Sequence, residues 1–201
     1  MTGALCLILA YLLGGVPFGY LLVKWKTGAD VRKSGSGNIG ATNVLRTTGR
    51  SAAVITLLLD IAKGFVAVWI TACLTGNSVG WTSAAAVAVM LGHIFPVYLR
   101  FQGGKAVACF LGAFAYLTPV PLLAVLILFV IVVAATKFIS LGSIIAAASF
   151  PFAVWLILHP DWPLLLSAFA AAVLIVYRHR ANIGRLRAGN EHVFSFGGKK
   201  P

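Results

Sequence analysis

Apolar residues gather along this chain in long blocks separated by short polar connections. The blocks cover residues 4–23, 52–74, 81–98, 106–117, 120–135, 141–158 and 164–177. A helix that crosses a bilayer needs roughly 20 predominantly apolar residues, so the pattern predicts an all-α integral membrane protein with seven transmembrane helices. The fourth and fifth blocks are parted only by Thr118, Pro119 and Pro121. Proline removes a backbone donor and restricts the residue before it, so a tight helical hairpin is expected there. If the two blocks form one long kinked helix instead, the count is six.

Composition agrees with this pattern. Hydrophobic residues make up 60% of the 201 positions and charged residues 10%, whereas a soluble domain carries about 25% charged residues. The chain is read as a single membrane-embedded domain over 1–201. Its first block lacks the basic leader of a removable signal and reads as the first span. Cys6, Cys73 and Cys109 lie far apart in apolar surroundings and read as buried small hydrophobes. The tryptophans Trp25, Trp69, Trp81, Trp155 and Trp162 mostly fall near span ends, as in an aromatic belt.

Charge gives the orientation. The net charge is +12, and in a chain this apolar the excess reads as a positive-inside bias rather than a nucleic-acid footprint. With seven spans, Lys24, Lys26, Arg32, Lys33, Arg46 and Arg50 share one side with Arg100, Lys105, Lys137, Arg178, Arg180, Arg185, Arg187, Lys199 and Lys200. The opposite connections, around 76–80, 118–121 and 159–163, carry no basic residue. The N-terminus is therefore expected outside and the C-terminus in the cytoplasm, with the active-site loops on the cytoplasmic side. A six-span arrangement destroys the asymmetry. The remaining basic residue, Lys63, lies inside the second span one helical turn after Asp60. Such a pair reads either as a structural ion pair or as part of a site.

Three basic segments carry candidate chemistry. The first runs Lys33-Ser34-Gly35-Ser36-Gly37-Asn38-Ile39-Gly40-Ala41-Thr42-Asn43-Val44-Leu45-Arg46. Closely spaced glycines let backbone N–H groups converge on an anion; Ser36, Asn38, Thr42 and Asn43 add neutral donors and Arg46 a bidentate charge. In the second, Gly92-His93-Ile94-Phe95-Pro96 is followed by Gln102-Gly103-Gly104-Lys105 running into an apolar block. Amides, the helix dipole and a lysine then meet at one point. The nucleotide P-loop pattern is absent. In the third, Arg178-His179-Arg180 leads to Asn182, Arg185, Glu191 and His192; continued as helix, it puts Arg178, Asn182 and Arg185 on one face. A flexible linker and a lipid-attracted basic tail are the plainer readings of the first and third segments. No HxxxxD box, GxSxG elbow, carboxylate pair or metal-ligand cluster occurs, so His-assisted acyl transfer, serine hydrolysis and metal catalysis lack candidates.

The runs SGSGNIGATNVLR, GHIFPVYLRFQGGKAVA and RHRANIGRLRAGNEH, in that order and joined by LDIAKG at 59–64, resemble the signature segments of the bacterial acyl-phosphate:glycerol-3-phosphate acyltransferases (PlsY). The resemblance spans essentially the whole chain. It implies a seven-helix, multi-pass protein of the bacterial inner membrane that acts without metal or other cofactor. The implied reaction moves a fatty acyl group from acyl phosphate to the sn-1 hydroxyl of glycerol 3-phosphate, giving lysophosphatidic acid and phosphate. A monomer is expected, with membrane lipids and the two substrates as partners and no nucleic acid. Two positions depart from the family: Ala106 stands where glycine is usual, and Gly184 where asparagine or a similar residue is common. The methyl of Ala106 is tolerable if that residue is already helical.

Because acyl phosphate is an activated anhydride, positioning and charge stabilisation can carry the catalysis. Ser36, Gly37, Asn38, Gly103, Gly104 and Lys105 are expected to hold the donor phosphate. Arg46, Thr42, Asn43, Ser143, His179, Asn182 and Arg185 are expected to bind glycerol 3-phosphate. Ser36, Asn38, Lys105 and His179 are the catalytic candidates, and Asp60, Lys63, His93, Ser140 and Glu191 are candidates for structural or site support. The leaving phosphate takes the proton from the attacking hydroxyl in a substrate-assisted reading; His179 as general base is the rival. A small membrane transporter for a phosphorylated metabolite, with Asp60 and Lys63 as a gate, is the alternative from a different class.

Overall fold

The structure, a computed structural model, describes residues 1–194. The Gly-Gly-Lys-Lys ending, part of a tail expected to be mobile over about 193–201, lies outside the described residues from 195 onward. Every regular element among the described residues is helical: α1 (Thr2–Gly15), α2 (Phe18–Thr27), α3 (Ala41–Thr48), α4 (Arg50–Thr75), α5 (Val79–Ile94), α6 (Val107–Leu117), α7 (Pro119–Thr136), α8 (Ile139–Leu158), α9 (Trp162–Arg178) and α10 (Arg180–Arg187), with single 3-10 turns at Val31–Lys33 and Val97–Leu99.

Each of the seven predicted apolar blocks is helical. Among the described residues, five stretches are long and apolar enough to cross a bilayer: Thr2–Thr27, Arg50–Thr75, Val79–Leu99, Pro119–Thr136 and Ile139–Leu158. The α9–α10 pair, bent by 54°, makes a sixth if taken as one span. The fourth block is the short one. Its helix α6 has 11 residues, and at 1.5 Å per residue it reaches about 17 Å. The break at Thr118 is real, with α6 ending at Leu117 and α7 starting at Pro119. The first span is also broken, because Pro17 has no N–H to donate and the turn of α1 stops at Val16.

Packing divides the chain, which reads as one domain over 1–201, into two compact units, Met1–Leu117 and Thr118–Pro201. In the first unit α4 is the central helix, touching α1, α2, α3, α5 and α6. Small residues permit this closeness, as is usual where helices pack within a membrane. A Cβ at Gly64 of α4 would collide with the Cys109 carbonyl of α6, and one at Gly112 of α6 with the Ile61 carbonyl of α4. The first unit's interior is filled by Val68, Val89, Met90, Ile94 and Phe114. In the second unit α8 packs between α7 and α9, over Phe150, Val154 and Ile175, and α10 rests on α8 and α9.

Large apolar side chains cover the outer faces. Leu5, Ile8, Leu9, Leu58 and Trp69 are exposed in the first unit; Leu123, Ile127, Val130, Ile131, Phe152, Leu156 and Val173 are exposed in the second. Surfaces of this kind belong against lipid. Cys6 and Cys109 are buried as expected, but Cys73 is exposed near the end of α4. It occupies an outward position of a helix whose surroundings are apolar in any case, so an apolar neighbourhood in sequence did not require burial.

Candidate functional site

The segment between α2 and α4 is an ordered loop organised by one side chain. Asn43, only 1% exposed, donates through Nδ2 to the carbonyls of Val31, Ser34 and Asn38 and accepts at Oδ1 from the Ser36 N–H at 2.8 Å. Gly35 has a left-handed backbone (φ 59°), and a Cβ there would strike Asn43 Oδ1; glycine is required on both counts. Asn38 Oδ1 accepts from the Gly40 N–H, closing a side-chain turn just before α3. Val31, Ile39 and Val44 anchor the loop in a buried cluster with Val23 of α2, Ala52 and Ala53 of α4 and Leu99. Asp30 opens the loop by accepting from the Arg32 N–H and guanidinium. That hydrogen-bonded arginine brings the Asp30 carboxyl down to about 2.

This geometry revises the role of Asn43. Expected on glycerol 3-phosphate, it has its whole amide engaged in shaping the loop. The groups presented outward are the exposed Ser36, Gly37 and Arg46, with Asn38 and Thr42 half-buried.

The second segment returns along the end of α5. After the 3-10 turn at Val97–Leu99, Arg100 and Phe101 are left-handed (φ 52° and 63°), and the chain reverses with Phe101 N–H donating to the Pro96 carbonyl. Gly103 N–H donates to the Ile94 carbonyl at 3.2 Å and Gly104 N–H to the His93 carbonyl at 3.0 Å. These two amides were expected to face an anion, and the structure corrects this: they bind α5. Glycine is needed here because the backbone lies flat against that helix end. A Cβ at Gly104 would overlap the His93 ring, and one at Gly103 the His93 carbonyl and the Pro96 ring. Lys105, half-buried, follows at once. Ala106 is not the helical residue that would carry its methyl easily: it is left-handed (φ 60°), 1% exposed and precedes α6.

Beneath that loop lies a buried charged cluster. Lys63 Nζ is 2.8 Å from Asp60 Oδ1, both side chains at most 3% exposed, so the pair predicted from their spacing forms. Lys63 also donates to the Val16 carbonyl at 2.7 Å, satisfying an acceptor at the break between α1 and α2, and lies over the Phe18 ring. His93 Nδ1 faces the same Asp60 oxygen at 3.7 Å. The ligand-type atoms of Asp60, His93 and Cys109 lie within 4.8 Å of one another. Lys63 already supplies a positive charge at the carboxylate, so the cluster has the make-up of an internal ion group.

In the second unit, His179 marks the bend between α9 and α10. The bend removes the single face expected for Arg178, Asn182 and Arg185. Asn182 Nδ2 and Arg185 Nε instead grip the two oxygens of Glu191, each at 2.9 Å, and tie the segment after α10 back onto it. Burial pushes the Glu191 carboxyl up, but the Asn182 hydrogen bond and the Arg185 charge and hydrogen bond outweigh it and hold it below the ordinary glutamate range. His179 is 3% exposed with Nδ1 at 2.8 Å from the Ile175 carbonyl. A carbonyl only accepts, so Nδ1 carries the proton and a neutral ring keeps its lone pair at Nε2. Ser143 donates to the Ile139 carbonyl, and the buried Ser140 hydroxyl lies beside Glu191 and helps to lower its carboxyl. Gly184 is exposed with open space at its Cβ position. The clasp on Glu191 is the main feature that periodicity alone missed, because its two donors come from a helix and its acceptor from the irregular segment beyond.

Comparison with known proteins places these loops in a context. The family model described as glycerol-3-phosphate acyltransferase matches residues 4–189. The chain is 47% identical over 195 residues to the glycerol-3-phosphate acyltransferase of Geotalea daltonii, covering 96% of this chain and 99% of that protein. It is 42% identical to that of Desulforamulus reducens, covering 100% and 98%. Among solved structures it is similar to PlsY (YgiH), an integral membrane glycerol 3-phosphate acyltransferase, in its glycerol 3-phosphate form (TM-score 0.92, 36% identity, 97% of this chain and 96% of that one). The lysophosphatidic acid form of the same enzyme is similar too (TM-score 0.88, 34% identity, the same coverage).

Proposed function

Since this chain belongs to the glycerol-3-phosphate acyltransferase family, and is a membrane acyltransferase acting on glycerol 3-phosphate, we propose that its acyl donor is acyl phosphate and that the reaction needs no base from the protein. The supporting observation is the character of the loops. They present serine, asparagine, lysine and arginine around glycine-shaped backbone, the equipment for phosphate and not for activating a nucleophile. The sn-1 hydroxyl of glycerol 3-phosphate attacks the acyl carbonyl. The bond from the acyl carbon to the phosphate oxygen breaks, and the leaving phosphate accepts the hydroxyl proton. The products are lysophosphatidic acid and inorganic phosphate.

In the first unit, Lys105 with Ser36, Gly37 and Asn38 takes the donor phosphate, and Lys105 stabilises the charge that grows on it as it leaves. Gly103 and Gly104 serve by letting the backbone fit against α5, and Arg46 and Thr42 bind glycerol 3-phosphate. In the second unit, Asn182, Arg185, Ser143 and His179 bind glycerol 3-phosphate, with Glu191 fixing the first two by its clasp. The protein lies in the bacterial inner membrane as a monomer, crossing it seven times with α6 as a short crossing, the N-terminus outside and the basic connections in the cytoplasm. The one-sided distribution of lysine and arginine supports that orientation.

The purified chain given acyl phosphate and glycerol 3-phosphate should release phosphate and form lysophosphatidate in equal amounts, without added metal. Lys105→Ala should lower turnover by about 100-fold or more. Activity with acyl-CoA but none with acyl phosphate rejects the donor; unaltered turnover in Lys105→Ala rejects the site.

A further inference from the structure

The Asp60–Lys63–His93 cluster forms under the one loop whose lysine is assigned to the donor phosphate, and this suggests a use for charges that are costly to bury. Unpaired, each ion would be expensive so deep in an apolar helix packing. Paired, they could be replaced by apolar residues of similar size with little loss of stability. Stability alone therefore does not account for the trio. Geometry points to the loop. Lys63 is fixed from three directions, by Asp60 Oδ1, the Val16 carbonyl and the Phe18 ring. Asp60 is thereby held facing His93 Nδ1. The opposite edge of the same ring, Nε2, is the nearest atom to the space above Gly104, and the His93 carbonyl accepts the Gly104 N–H. One residue thus contacts the loop through both its ring and its backbone, immediately before Lys105.

We propose that Asp60, Lys63 and His93 are positioning residues for acyl transfer: the ion pair fixes the rotation of the His93 ring, and the ring sets the height and direction of the Gly103–Lys105 loop on which Lys105 meets the donor phosphate. This rests on the assignment of Lys105 to the donor. The role differs from that of a structural ion pair because its loss is felt by one substrate. A small displacement of a positioned charge costs rate steeply even when the fold is intact.

The test uses purified full-length enzyme, steady-state kinetics in both substrates and thermal unfolding. His93→Leu keeps the size of the ring and loses its polar edges. His93→Asn keeps a donor where Nδ1 stood. Asp60→Asn combined with Lys63→Met removes both charges together, so that no lone ion is left buried. In His93→Leu and in the double variant, KM for acyl phosphate should rise about tenfold or more while KM for glycerol 3-phosphate stays within about twofold. His93→Asn should recover most of the loss. Where His93→Leu is not obtained folded, the double variant and His93→Asn decide by the same readout. Wild-type donor KM in these variants, with a raised donor KM in Lys105→Ala, overturns the positioning role and leaves the donor site standing. Wild-type donor KM in Lys105→Ala overturns both. A fall in kcat that follows loss of melting temperature, with both KM values unchanged, also overturns it and leaves only a structural ion pair.

Discussion

Ala106 carries a methyl group on a left-handed backbone (φ 60°), a conformation that costs a non-glycine residue about 1–2 kcal/mol. Glycine would relieve that strain, yet it loses a buried methyl and adds entropy to the unfolded chain. The terms nearly cancel, so Ala106→Gly should leave stability within about 1 kcal/mol of the parent. Ala106→Val should lower it by about 2 kcal/mol or more, because a β-branched side chain fits neither the backbone nor the packing. Thermal unfolding in detergent measures both. Asn43 makes a sharper case. Asn43→Ala strips a donor from three carbonyls and an acceptor from the Ser36 N–H, a loss of about 3 kcal/mol, and turnover should fall with the loop's order. Sequence placed this asparagine in a loop read as a phosphate cradle, but did not show which way it faced. An amide that shapes a loop and one that binds a ligand have the same spacing, and only the burial of Asn43 separates them. The same holds for Gly103 and Gly104, whose glycine pattern is as well explained by contact with His93 as by an anion.

At the scale of elements, apolar blocks translated directly into helices because seclusion from water forces the backbone to satisfy itself within each segment. What periodicity could not supply was the bend. A straight continuation of α9 placed Arg178, Asn182 and Arg185 together, and the 54° turn at His179 gave Glu191 two partners instead. Those partners hold its carboxyl below the ordinary range, which fixes the sign of a pH effect. A depressed carboxyl contributes stability that is complete above its unfolded value and disappears as pH falls through the lower folded value. The α10 clasp should therefore be intact at neutral pH and open only in acid below the usual glutamate range. Glu191→Gln should lose that part of the acid dependence and be less stable than the parent at neutral pH, as followed by unfolding across a pH series. Helix contacts give a second check. Gly112→Leu would drive a side chain into the Ile61 carbonyl of α4, so α6 should separate from α4 at a cost of about 2 kcal/mol or more, read as a lowered melting temperature.

For the molecule as a whole, the sequence carries two kinds of positive charge that composition cannot tell apart. Lys24 and Lys26 end α2 in the open, Lys24 donating to the Gly28 carbonyl at the helix end, while Lys105 is half-buried on a loop fixed to α5. On the seven-span reading both kinds fall on the side that the positive-inside bias assigns to the cytoplasm, a placement that would let the proposed site meet a water-soluble glycerol phosphate at the membrane edge. The first unit alone can test the orientation, since Ser34 lies in its basic loop and Asn77 in the uncharged turn after α4. In a Cys73→Ser background, which removes the exposed native thiol, a cysteine replacing Asn77 should react with a membrane-impermeant maleimide on intact cells. A cysteine replacing Ser34 should react only after the membrane is opened. The reverse pattern would put the loop proposed to bind phosphate outside the cell, away from cytoplasmic glycerol 3-phosphate, and the basic residues would then need an explanation other than topology.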